Sequence, residues 1–235
     1  MLQAILHGKA GRVTLENNEP QSWRDVFKKR EDLLTAAFWS RIDYLSSTAL
    51  SFFIEKLLSK PSLDLGDYKG IQFWPSYYIG YRVEPDVILK FEKADILIEV
   101  KPPLGGKQDY QQWDNEIKSY LRSVEEGKKL YFLALGNIPY EAKQWQKKLN
   151  QRYPQVSLHG VEWRQVKDIL SQNQWDSQDR RIIKDCLKAL SFYGVSEALR
   201  QWQTMNTLIE QFPLSSYHIL NFNFLTIKNK DVSNE

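Results

Sequence analysis

Two short apolar runs, Val87 to Phe91 and Asp95 to Lys101, flank the spacer Glu92-Lys93-Ala94. Runs of this length, rich in Val, Ile, Leu and Phe, read as strands, and so short a spacer leaves little besides an antiparallel hairpin. Its register can be worked out. With Glu92-Lys93 as a two-residue turn, Phe91 faces Ala94, Lys90 faces Asp95, Leu89 faces Ile96, Ile88 faces Leu97 and Val87 faces Ile98. Asp86 then lies opposite Glu99. The opposite charges of Lys90 and Asp95 favour this pairing.

Side chains alternate along a strand, so Glu99 and Lys101 project from one face, and Asp86, directly across, shares it. Val87, Leu89, Ile96, Ile98 and Val100 line the other face, while Ile88 and Leu97 sit beneath the charged group. Two carboxylates side by side repel unless a cation or a proton neutralises them. Mg²⁺ suits such a place, because it takes oxygen ligands and keeps reactive waters. A neighbouring ammonium can stabilise charge that builds on a phosphate. The bland alternative is a strand-end salt bridge in which Lys101 neutralises Asp86 or Glu99.

The rest of the chain supplies a frame for the hairpin. Leu34, Phe38, Ile42 and Leu45 recur at helical spacing within a helical region from about Trp23 to Ser59, which Ser46-Ser47-Thr48 can break in two. Ile71 to Tyr81 reads as a strand interrupted at Pro75, and a helix is expected from about Asp109 to Glu126. Lys129 to Leu135 reads as a buried strand, Tyr140 to Arg152 as a helix, and Val156 to Trp163 as the last core strand. The remainder, to about Gln211, reads as helical, with a tail after Ile227 expected to be disordered. The order implies an α/β fold with a mixed sheet flanked by helices. A core at 1–165, with N-terminal helices, would carry a helical C-terminal extension, 166–235, packed on it.

Pro85-Asp86, twelve intervening residues, then Glu99-Val100-Lys101 resembles the signature of the PD-(D/E)XK nuclease superfamily. The resemblance covers roughly Lys29 to Trp163. It implies a restriction-endonuclease-like fold and a metal-dependent nuclease, a DNA endonuclease in the first place, in settings such as phage defence or mobile-element biology. By the same resemblance Asp86 and Glu99 ligate Mg²⁺, for which Mn²⁺ can substitute, the Val100 carbonyl adds a ligand, and Lys101 is catalytic. Many members carry an acidic residue on the helix before the sheet, where Glu31 stands here. Some carry a Gln and a Tyr on the helix after the motif. Gln112, Glu116 and Tyr120 recur there four residues apart, with Glu116 standing where the Gln is expected. Tyr120 reads as core packing as readily as an accessory to the site.

Other residues narrow the choice less. Lys143, Lys147, Lys148 and Arg152 fall on one helix, and Arg180, Arg181, Lys184 and Lys188 on another, and either set can track a phosphate backbone or simply meet solvent. A formal net charge of +3 permits nucleic-acid binding without requiring it. His7, His159 and His218 lack metal-ligand spacing, and Gly105-Gly106 lacks the lysine-serine pattern of a phosphate loop. Cys186 is the single cysteine, which excludes an intrachain disulfide and suits a reducing, cytoplasmic setting. No apolar run reaches the roughly 20 residues of a membrane helix, so no membrane partner is expected. A homodimer or a partner protein stays open. The competing function is a nuclease-like subunit that mainly binds nucleic acid or assembles a larger complex.

Overall fold

A five-stranded mixed sheet separates two layers of helices. The structure is a computed structural model. It describes residues 4–195 apart from 6, 8, 15–19, 24, 27–29, 125–126 and 173. In chain order the elements are β1 (Arg12–Thr14), β2 (Pro20–Ser22), α1 (Glu31–Ile42), α2 (Ser47–Leu57), β3 (Tyr68–Phe73), β4 (Tyr77–Tyr78), β5 (Arg82–Val83), β6 (Val87–Phe91) and β7 (Ala94–Val100). There follow α3 (Tyr110–Ser123), β8 (Lys129–Leu135), α4 (Ala142–Arg152), β9 (Val156–Val161), α5 (Trp163–Leu170) and α6 (Ser177–Phe192). The main sheet runs β3-β6-β7-β8-β9. β6 runs antiparallel to both of its neighbours, β3 and β7, and β7, β8 and β9 are parallel.

The hairpin pairs Val87 with Ile98, Ile88 with Leu97, Leu89 with Ile96 and Lys90 with Asp95. Alternation along it divides the core. Val87, Leu89, Ile96, Ile98 and Val100 join Leu34, Phe38, Phe53, Val166 and Leu190 in the layer of α1, α2, α5 and α6. Ile88 and Leu97 join Trp113, Ile117, Phe132 and Leu149 in the layer of α3 and α4. All seven residues of β7 are buried, as befits a strand with neighbours on both edges and helices on both faces. Residues 166–195 belong to the same compact unit as the sheet. Cys186 is buried among them, and burial pushes its thiol up to about 12, which removes it as a nucleophile.

Several boundaries differ from the sequence reading. The helical region does divide at the expected triplet, where the Ser46 hydroxyl caps α2 by accepting from the Ala49 N–H at 3.2 Å. Asp179 on α6 holds this corner, accepting from the Ser46 N–H at 2.9 Å and the Ser46 hydroxyl at 2.6 Å. The expected strand from Ile71 to Tyr81 ends at Phe73. Trp74 takes a positive φ of 47° and turns the chain out of the sheet, and β4 pairs instead with β5. β9 stops at Val161, and Trp163 opens α5. The expectations for residues 196–235, including the helical reading to Gln211 and the tail, lie outside the described residues. No described helix is long and apolar enough to cross a membrane.

Candidate metal centre

The charged end of the hairpin is built from three directions. β7 delivers Glu99 on the face shared with Ile88 and Leu97. The strand ends at Val100, and Pro102 and Pro103 just beyond Lys101 cannot continue the ladder. Asp86 stands just before β6 and turns its carboxylate across the hairpin, where Oδ2 accepts the Val100 N–H at 2.7 Å. The third direction is α1, whose first residue is Glu31. Burial of Leu34 and Phe38 fixes that helix against the sheet and brings Glu31 to the strand ends.

These groups converge. One carboxylate oxygen from each of Glu31, Asp86 and Glu99 lies within 4.8 Å of the others. The Lys101 ammonium donates to Glu99 Oε1 at 2.5 Å and to Glu31 Oε1 at 3.0 Å. From α3, Gln112 donates its amide to Glu99 Oε1 at 2.6 Å and to Glu116 Oε1 at 3.0 Å. The Asp109 carboxylate caps that helix and fixes Gln112 by accepting its N–H at 2.8 Å. Glu116 is buried, and its second oxygen meets no hydrogen-bond donor among the described residues.

Four carboxyl groups thus gather around one ammonium in a largely dry place. Burial, and then the charge of Glu99, push the Asp86 carboxyl up to about 8. Burial also raises Glu31, against the pull of Lys101. Glu116 is raised well above the carboxylate range by burial and then by Glu99. Burial works against the Lys101 charge, but Glu99 and Glu31 outweigh it and lift the ammonium above the ordinary lysine value. The donor set is all carboxylate oxygen with surplus negative charge. It fits a hard divalent cation such as Mg²⁺ or Mn²⁺ better than a soft metal.

The other nominated residues fall elsewhere. Val100 reaches the cluster through its N–H. Tyr120 is not at the centre. Its hydroxyl donates to Asp95 and accepts from Lys90 at 2.9 Å, near the turn of the hairpin. Asp95 is four residues from Glu99, about 13 Å along an extended strand. Lys143, Lys147 and Lys148 are exposed on α4. Arg180 and Arg181 flank the Asp179 corner beyond the last turn of α1, about 16 Å along that helix from Glu31. The two arginines therefore do not share a site with the carboxylates. Arg152 pairs with Asp114 at 2.7 Å, which ties α4 to α3.

Sequence reasoning passed over the residues that hold Lys101. Its carbonyl accepts from the Trp163 indole at 2.7 Å, and its N–H donates to the Leu135 carbonyl at 2.7 Å. Gly136 passes so close that a Cβ there would lie 2.2 Å from the Lys101 carbonyl oxygen, and its φ of 84° suits glycine. Asn137 then ties down the loop after Lys101, donating to the carbonyls of Pro102, Gly105 and Gly106 at 2.8, 2.7 and 3.0 Å. A Gly-Asn pair closing a buried strand was the available signal.

Fold and site together define an α/β protein with an acidic cluster and a lysine at one end of its central hairpin. The chain belongs to the same family as the uncharacterized protein PM0110 of Pasteurella multocida (strain Pm70). The two are 30% identical over 217 residues, spanning 86% of this chain and 83% of that one. No family model matches the chain. The crystal structure of AF1548, a protein of unknown function, aligns with 70% of this chain and 98% of its own at 10% identity and a TM-score of 0.32. A likeness that slight carries no argument.

Proposed function

We propose that the chain is a metal-dependent nuclease with a restriction-endonuclease-like core, hydrolysing phosphodiester bonds of DNA. The observation that carries this reading is the approach of Glu31, Asp86 and Glu99 to within 4.8 Å, with the Lys101 ammonium against two of them. A strand-end salt bridge needs one carboxylate for one ammonium. The surplus carboxylates here raise each other's proton affinity and so oppose folding. Such an arrangement makes physical sense where a cation is to be held.

A divalent ion held by these residues would supply Lewis acidity at a phosphate oxygen and would acidify a coordinated water. The remaining work falls to the chain. The Lys101 ammonium would donate to the charge that develops on the phosphate during attack. Gln112 fixes the rotamer of Glu99 through the 2.6 Å bond. Trp163 and the Leu135 carbonyl fix the backbone from which Lys101 extends. The Val100 N–H orients Asp86.

The test is incubation of purified protein with single- and double-stranded DNA and RNA in Mg²⁺ or Mn²⁺, beside Glu99→Ala and Lys101→Ala. Cleavage by the wild type, lost in both variants with circular dichroism unchanged, is expected. Cleavage that survives both substitutions, or no cleavage of any substrate by the wild type, would reject the proposal.

A further inference from the structure

We infer that Lys101 is the resident counter-ion of the cation-free centre, and that a divalent ion enters only by displacing its ammonium from Glu31 and Glu99. The inference rests on the metal reading above and concerns how that site is regulated. Glu31 and Glu99 are two of the three residues able to hold the ion, and they are the two that Lys101 occupies, at 3.0 and 2.5 Å. The lysine side chain is packed into place, with 10% of its surface exposed. Gly106 makes room for it, since a Cβ there would lie 3.2 Å from Lys101 Cδ.

Which partner gives way follows from the anchoring. Glu99 is buried on the central strand and bound by Gln112. Asp86 is buried and bound by the Val100 N–H. Lys101 has a flexible four-carbon stem and an ammonium that can rotate onto new acceptors. An ion bonded at about 2.1 Å to oxygens that an ammonium also holds would bring like charges close together where water screens little. Ion entry and lysine departure are then one event. The lysine becomes free to meet a phosphate only when the ion is present, so a cation-free centre is both unloaded and self-blocked.

The test is calorimetric titration of Ca²⁺ and of Mn²⁺ into wild type, Lys101→Met and Lys101→Arg, without nucleic acid. Lys101→Met should bind about tenfold more tightly than wild type, and Lys101→Arg about tenfold more weakly, because a guanidinium fork spans two carboxylates more firmly. In parallel, cation-free Lys101→Met should melt below wild type, and saturating Ca²⁺ should narrow that gap. Equal affinities in the three proteins would overturn this inference and leave the metal reading standing. Absence of ion binding in all three would overturn both. If Lys101→Met does not fold without ion, the arginine variant decides, and an affinity equal to that of wild type would overturn the inference.

Discussion

Replacing Asp86 by asparagine should stabilise the cation-free protein and at the same time abolish its response to divalent ions. Asp86 is 6% exposed, and burial and then Glu99 hold its proton up to about pH 8. In the unfolded chain the same carboxyl releases its proton near pH 4. Between those values the native state binds more protons than the unfolded state, so native stability falls as pH rises through the window. A displacement of one pH unit corresponds to about 1.4 kcal/mol, which sets a ceiling of about 6 kcal/mol above pH 8 and about 4 kcal/mol at pH 7. Asparagine keeps an oxygen to accept the Val100 N–H and carries no charge. Its advantage over wild type should therefore grow by about 4 kcal/mol between pH 5 and pH 8. Urea denaturation of chelator-treated protein at the two pH values measures this. With ion at a hundredfold excess over Kd, wild type should gain about 2.7 kcal/mol and the variant nothing. A variant less stable than wild type at pH 8, or one that ions stabilise to the same extent, would refute the reasoning.

Tyr120→Phe should lower stability by about 1–3 kcal/mol, because buried Asp95 loses a donor, while ion affinity stays unchanged. Loss of ion binding at unaltered stability would place Tyr120 in the centre after all. Asp179→Ala should lower stability by about 1–3 kcal/mol through the two Ser46 groups left without an acceptor, measured by denaturation, again without effect on ion affinity. Gly136→Ala should be far more disruptive than a surface substitution. The added Cβ would meet the Lys101 carbonyl oxygen and the Trp163 indole, so both the melting temperature and the calorimetric ion affinity should fall.

The hairpin was legible because strand alternation has a period of two, so one turn position sets the register of every pair through Val87 and Ile98. That alone puts Glu99 and Lys101 on one face. Glu31 could be nominated from its place beside the Leu34 and Phe38 stripe, but its reach to Lys101 depends on how α1 docks, which no local pattern states. Tyr120 shows the converse. Helical spacing from Gln112 and Glu116 puts it on their face of α3, yet each turn advances about 5.4 Å, so two turns carry it towards Asp95 rather than Glu99. Trp74 was illegible for a different reason. Tryptophan seldom takes a positive φ, and only tertiary packing can hold it there. Asn137 acts on carbonyls more than thirty residues earlier in the chain, a relation that sequence proximity cannot disclose.

That turn at Trp74 also sets where the chain can change without harm. Phe73 pairs with Val87, and the Trp74 N–H donates to the Asp86 carbonyl at 2.9 Å. The chain leaves the sheet and returns to it at adjoining points, so the segment with β4 and β5 is an excursion closed at its base. Asp86 is located by that base and by the Val100 N–H. The excursion packs on α3, Tyr77 against the ring of Tyr120 and Tyr81 on Asn115, so lengthening or exchanging it would leave the carboxylates where its closed base holds them.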